Sequence, residues 1–247
     1  MLIRPTRREL IKYGIGAAAF AKMARAQVRV PGPGGAASGG GGGGWSLVAH
    51  TGKAGASGGA DFTTSAINTS GANLIVVGIG SYSTSPSVSD SLGNTWTRLN
   101  VYTQSADPNI ALFYCYNPTT GSSDTFTTST GNAYPVMMGA AFSGSSASPF
   151  DQQNGAASTG LVTSQQPGSI TPTANNELIV TLFGDSNCSS IPTIDSGFTI
   201  TDAIAYNGSS NYGGAVAYLF QNTATAINPA WSITSSGNTV SSIASFK

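Results

Sequence analysis

Charge is scarce in this chain. Only 8% of its residues are Asp, Glu, Lys or Arg, where ordinary soluble domains carry roughly a quarter, and Ser, Thr, Asn and Gly fill the deficit. Beyond residue 30 the basic side chains are Lys53, Arg98 and Lys247 alone, against nine carboxylates, so that portion carries a net charge of −6. Binding nucleic acid through its phosphates requires clustered Lys and Arg, and nothing of that kind exists there.

Other shortages exclude chemistry. His50 is the sole histidine, so any Ser-His-Asp triad must use it, yet no serine stands in a Gly-x-Ser-x-Gly turn. His50 reads as a hydrogen-bonded structural residue. Beyond the first thirty residues the sole glutamate is Glu177, whereas glycoside hydrolysis ordinarily uses a pair of carboxylates at fixed separation. Glu177 opens a predicted strand and reads as a solvated strand-end charge. Two cysteines, Cys115 and Cys188, lack the CxxC spacing and neighbouring histidines of a zinc site. Oxidising surroundings would permit a disulfide between them, although spacing alone establishes none. Cys115 also suits a small buried apolar position in a strand. We expect no enzyme activity, no metal and no cofactor.

The basic residues that do exist crowd the start, where seven of the ten precede residue 30. Thr6-Arg7-Arg8-Glu9-Leu10-Ile11-Lys12 resembles a twin-arginine export signal, with Arg7 and Arg8 as the paired arginines. A weakly apolar stretch over 13–21 and the small-x-small pattern Ala24-Arg25-Ala26 follow, which predicts cleavage after Ala26. That apolar stretch is far shorter than a membrane span, and Lys22 interrupts it. The competing expectation is an uncleaved amphipathic helix over 9–26 acting as an anchor. Residues 27–44, rich in Pro and Gly, offer no apolar periodicity and read as a tether.

From Trp45 onward short apolar or alternating runs are broken by Gly, Ser, Asn and Pro, without a helical period. This predicts an all-β body over 45–247. Strands are expected at 45–51, 62–67, 74–81, 86–90, 95–103, 109–117, 124–130 and 134–143. A second set is expected at 154–158, 169–171, 178–185, 192–195, 198–205, 214–222, 229–234 and 239–246. The runs 74–79 and 110–116 are apolar on both faces and belong in the middle of a sheet.

The two sets echo each other at an offset of 104 or 105 positions: Leu74, Ile75 and Val76 fall on Leu178, Ile179 and Val180, Gly80 on Gly184, and Asp90 on Asp195. Tyr114 falls on Tyr218, Val136 on Val240, Ala140 on Ala244 and Phe142 on Phe246. Such self-similarity points to one unit used twice. The expected fold is a jelly-roll-like β-sandwich of two similar halves, 45–148 and 149–247, with two tandem sandwiches as the other arrangement. The short join at 143–151, which contains Phe150, favours the single sandwich. Tyr114 and Tyr218 are expected at equivalent central positions, as buried rings whose truncation costs about 3 to 5 kcal/mol.

Asp90-Ser-Leu-Gly-Asn-Thr and Asp195-Ser-Gly fit tight turns in which Asp accepts backbone N–H groups and Gly supplies positive φ; neither has the spacing of a calcium loop. Val88-Ser-Asp-Ser-Leu-Gly-Asn-Thr-Trp-Thr resembles a segment of uncharacterised Ser/Thr/Gly-rich β-sandwich proteins from bacterial surfaces and phages. Ala174-Asn-Asn-Glu-Leu-Ile-Val and Ser196-Gly-Phe-Thr are similar to the same group. The resemblance implies a surface protein and carries over no catalytic residue.

One loop combines aromatic rings with amides: Tyr206-Asn207-Gly-Ser-Ser-Asn211-Tyr212. Rings stack on the apolar face of a sugar while amides hydrogen-bond its hydroxyls, so Tyr206, Asn207, Asn211 and Tyr212 are the candidate ligand-binding residues. Ordinary hairpin chemistry would use the same residue types. The expected function is non-catalytic recognition of carbohydrate by an exported protein. The alternative is a structural component of a virion or cell surface, anchored through its N-terminus, with another surface protein or further copies of itself as partners.

Overall fold

Short runs that alternate apolar and polar residues bury one face of a strand and runs apolar throughout bury both, and the computed structural model describes fifteen strands of these kinds in residues 44–55, 61–105, 107–130, 134–208 and 210–247. The leader with Arg7 and Arg8, the predicted anchor helix and the tether up to residue 43 lie outside the described residues. Among the described residues there is no helix, and hence none long and apolar enough to cross a membrane.

The first five-stranded sheet runs in the order β1 (Ser46–Ala54), β8 (Val136–Ser143), β3 (Leu74–Ser81), β6 (Asn109–Tyr116), β5 (Thr97–Thr103). Every β3 residue is buried, as its two apolar faces require, and its neighbours β8 and β6 bond it on both edges. A small sheet, β2 (Phe62–Thr63), β7 (Phe126–Ser129) and β4 (Ser87–Asp90), covers the outer face of the large one. Phe126 of β7 packs there with Ile75, Val77, Phe113 and Met137.

The second large sheet has seven strands. Its core order is β9 (Phe150–Ala157), β15 (Trp231–Phe246), β11 (Glu177–Ser186), β14 (Gly213–Gln221), β13 (Thr199–Ile204). The leading part of β15 carries β10 (Val162–Gln165) and β12 (Thr193–Ile194) on its two edges. Sequence reading divides β15 into two strands at the Ser235-Ser-Gly237-Asn238 run, but the strand continues through it. A side chain at Gly237 would stand 2.7 Å from the Ser186 carbonyl oxygen, so the glycine permits continuation rather than marking a break. Two further expected strands shrink: 62–67 is a two-residue strand followed by a bridge at Ile67, and 169–171 is a bridge between Ile170 and Ile227.

The large sheets stack as the layers of a sandwich. Leu74, Val76, Leu112, Met138 and Phe142 from the first meet Leu178, Val180, Leu182, Val216 and Phe246 from the second. Fully burying each such side chain contributes about 1.5 to 3 kcal/mol. In the first sheet Val76 pairs with Tyr114 and Ala140, and in the second Val180 pairs with Tyr218 and Ala244. Leu74 likewise faces Tyr116 and Phe142, where Leu178 faces Phe220 and Phe246. Tyr114 and Tyr218 both edge into this core but are only partly buried. Each lies toward the end of its strand, with its ring extending past the aliphatic centre onto Phe246 and Phe142 respectively.

Candidate functional site

The four residues expected to bind a ligand come together. Tyr206, Asn207, Asn211 and Tyr212 lie between β13 and β14 and line one cavity of about 200 Å³ with Gly208 and Tyr134. Asn207 and Asn211 close the loop through reciprocal backbone bonds of 3.0 and 2.9 Å. The side chain of Asn211 serves the loop itself: it is 5% exposed, and its Nδ2 donates to the carbonyls of Ala205 at 2.9 Å and Tyr212 at 2.7 Å. It holds the turn, while Asn207, which also lines the cavity, is exposed.

Two further tyrosines, neither singled out by the sequence, join this end of the molecule. Tyr134, just before β8, sets its ring edge-on to Tyr212 at 6.5 Å, and its carbonyl accepts the Tyr212 N–H at 3.1 Å. Tyr206 lies 6.4 Å from the same ring. Tyr82, following β3, is 61% exposed and lines a second cavity of about 410 Å³ with Thr84, Thr103, Asp107, Asn109 and Thr130 among others. Asp107 links the two cavities, because its carboxylate accepts the Tyr212 hydroxyl. Burial pushes the Asp107 carboxyl up while the Tyr212 bond holds it down. The Tyr212 phenol is driven well above its usual range, first by burial and then by the Asp107 charge. Non-glycine residues at positive φ are uncommon, and Asp107 at 66° and Tyr134 at 49° both adopt it here.

Beneath the Tyr206–Tyr212 loop lies a buried carboxylate. Asp185, at the end of β11, is fully buried and accepts the Cys188 N–H at 3.1 Å. Gly213 leaves it room, since a Cβ there would land on the carboxylate. Burial without a cation pushes Asp185 up to about 7, outweighing the Cys188 hydrogen bond. Burial also pushes the Cys188 thiol up, but hydrogen bonds from Ser190 and Ser235 more than offset it and bring the thiol down to about 7. Its sulfur, 2.9 Å from the Ser190 hydroxyl, is shut away from solvent.

Several sequence expectations are corrected or sharpened. Cys115 and Cys188 are free thiols: Cys115 sits on β6 opposite Ile75 in the first sheet, while Cys188 packs beside Trp231 on the second. Glu177 is 1% exposed, not solvated. It lies under the turn before β11, where Oε1 accepts the Ala174 N–H at 2.9 Å and burial raises its carboxyl. His50 Nδ1 meets Asp202 Oδ2 at 3.0 Å, tying β1 to β13. Asp90 behaves as a turn residue should, its Oδ1 accepting the N–H groups of Leu92 and Asn94, both at 3.0 Å. Asp195 differs: its turn is closed by the Phe198 N–H on its own carbonyl at 3.3 Å, and its Oδ1 accepts the N–H of the distant Ala230 at 2.8 Å instead of capping the turn. Among the described residues no three His, Cys, Asp or Glu side chains gather as a metal cluster would require.

Tyr82 and Tyr134 share one signal that sequence reading passes over. Each is an isolated aromatic in a stretch of small polar residues at the boundary of an apolar strand, where no core position is on offer. No protein-family model, curated protein or solved structure matches the chain.

Proposed function

We propose that this protein is a non-catalytic recognition module whose ligand is carbohydrate, bound at the tyrosine-lined end of the sandwich. The observation that carries the reading is the convergence of Tyr82, Tyr134, Tyr206 and Tyr212, from three loops, around two adjoining cavities furnished with amides and hydroxyls. Tyrosine suits such a surface because it presents a rigid flat face at low entropic cost and a polar tip that tolerates water. A glycan array is the test: binding that disappears in Tyr206→Ala and Tyr212→Ala supports the reading, and a flat array refutes it.

The body itself we read as one jelly-roll-like sandwich built from two similar halves, 45–148 and 149–247, each supplying one large sheet. Paired registers displaced by the same 104 positions, Val76 with Tyr114 and Val180 with Tyr218, support it. Export through the twin-arginine-like leader goes with this function, and an intact mass beginning at Gln27 is its expected signature. A flat array together with a native mass that retains residues 1–26 would favour the other role, an anchored component of a virion or cell surface, in keeping with the seven basic residues gathered at the start of the chain.

A further inference from the structure

Resting on the carbohydrate reading, we propose that this end takes at least two consecutive units of a neutral or amino-bearing oligosaccharide, one in each cavity, and rejects sugars that carry carboxylate or sulfate. The division into two subsites comes from the geometry. Tyr134, Tyr206 and Tyr212 enclose a space of about 200 Å³, while Tyr82 with Thr84, Thr103 and Asn109 borders one of about 410 Å³. Asp107 lines the larger space and bonds to Tyr212, which lines the smaller, so a chain passing between them crosses its carboxylate.

The wall of the larger cavity has hydrogen-bonding capacity to spend. Asn109 is 3% exposed and commits its Nδ2 to the Tyr82 carbonyl at 2.6 Å, while its Oδ1 has no partner among the described residues. Thr130 Oγ1, in the same wall, likewise has none among them. Both atoms are buried behind the cavity surface, so the groups a ligand would meet first are the exposed Thr84 and Thr103 hydroxyls. Tyr82, 61% exposed, offers its ring as a platform above that wall.

Charge sets the selectivity. Among the described residues no Lys, Arg or His lines either cavity, so an anionic sugar would meet the Asp107 carboxylate with no compensating cation there, and like charges at close range in a partly desolvated site repel strongly. An amine at the same point would instead pair with Asp107. Acidic oligosaccharides should therefore bind at least tenfold more weakly than neutral ones of equal length, with amino sugars equal to or better than the neutral.

The experiment is an array of neutral, amino, uronic-acid and sulfated oligosaccharides of one to six units, followed by titration of the strongest neutral binder, its monosaccharide and its acidic counterpart. Longer neutral and amino chains should bind, monosaccharides should bind tenfold or more weakly, and acidic chains should be faint. Tyr82→Ala should weaken the oligosaccharide tenfold while leaving the monosaccharide within twofold, and Asp107→Asn should bring the acidic chain to within threefold of the neutral one. Acidic and neutral signals of equal strength in the wild type, or oligosaccharide binding indifferent to Tyr82→Ala, would overturn the two-subsite proposal while leaving carbohydrate recognition intact. A silent array would remove the underlying reading and this proposal with it.

Discussion

The two ends of the sheet stack are built on opposite plans. Where the tyrosine cavities lie, the sheets are pinched: a Cβ at Gly184 would stand 2.7 Å from Ile110 Cγ2, and one at Gly214 would stand 2.8 Å from Val136 Cγ1 across the stack. At the far end, Phe142, Phe246, Tyr114, Tyr218 and Phe150 fill the gap with rings at centroid separations of 5.5 to 6.4 Å. Their carboxylates differ in the same sense. Asp185, at the pinched end, is buried without a cation and pushed up to about 7. Asp151, at the aromatic end, lies 2.7 Å from the Lys247 ammonium; hydrogen bonds from Lys247 and Thr173 outweigh its burial and hold it at about 2. Ring packing is concentrated at one end and the tyrosine cavities at the other, while buried polar atoms without a partner among the described residues occur at both, on Asn109 and Thr130 at the pinched end and on Glu177 and Gln221 at the aromatic end.

If the aromatic end is the anchor, its truncation should have the largest effect. Phe142→Ala and Phe246→Ala, both fully buried, should each cost about 3 to 5 kcal/mol in chemical denaturation. Their costs should agree within about 1 kcal/mol, because the two rings hold corresponding registers opposite Leu74 and Leu178. A cost confined to one of them would break the proposed repeat. Tyr114→Ala and Tyr218→Ala should fall below that range, since both rings are only partly buried.

The carboxylates sharpen the contrast through pH. Asp185 is protonated in the folded protein up to about 7, against an ordinary value of 3.8. Its contribution to stability is complete below 3.8 and is lost as pH rises through 7, a change of about 4 kcal/mol. Glu177, Asp124 and Asp202 are shifted in the same direction, each chiefly by burial. Asp151 acts oppositely: its contribution is present above 3.8 and lost as pH falls through 2. Thermal stability should thus peak near pH 4 and decline toward pH 7, above which the lowered Cys188 thiol acts in the opposite sense. Asp185→Asn should raise the melting temperature at pH 8 and leave it nearly unchanged at pH 4; a variant with the wild-type slope would show that Asp185 is not the source.

The pinch itself is tested by adding one methyl group. Gly184→Ala forces a Cβ against Ile110 and, at 3.2 Å, against Pro108 Cγ, and overpacking of this kind costs about 1 to 3 kcal/mol. A neutral result in denaturation would mean that the sheets can part at this end without loss.

How much of this was readable in advance depends on the range over which each feature is determined. The all-β body and the central places of β3 and β6 follow from local pattern, since a strand apolar on both faces has to be covered twice. Tyr206, Asn207, Asn211 and Tyr212 were legible as a group because one short loop contains them. Tyr82, Tyr134 and Asp107 were not, because their meeting with Tyr212 depends on which strand ends the stacked sheets bring level. Glu177 misled for the same reason: a charge at a strand entry is ordinarily solvated, but here the turn before β11 folds over it. Cys115 and Cys188 allowed a disulfide until their sheets were known.

The smallest expected effect on stability separates the two ends most cleanly. Tyr82 at the pinched end and Tyr116 at the aromatic end are both exposed, at 61% and 39%, and both lie beside a surface cavity. Tyr82→Ala removes a ring that is mostly in water and Tyr116→Ala one that is partly covered, so each should change stability by less than about 1 kcal/mol. Binding should distinguish them. Tyr82 stands over a wall with unmatched polar atoms and next to Asp107, whereas the cavity beside Tyr116 is bordered by Pro149, Phe150 and residues of the join between the proposed halves. Tyr82→Ala should weaken oligosaccharide binding tenfold and Tyr116→Ala should leave it within twofold, read by titration on proteins whose melting curves coincide. Equal losses in both would place a second sugar-binding surface at the aromatic end and dissolve the division between an anchoring end and a binding end.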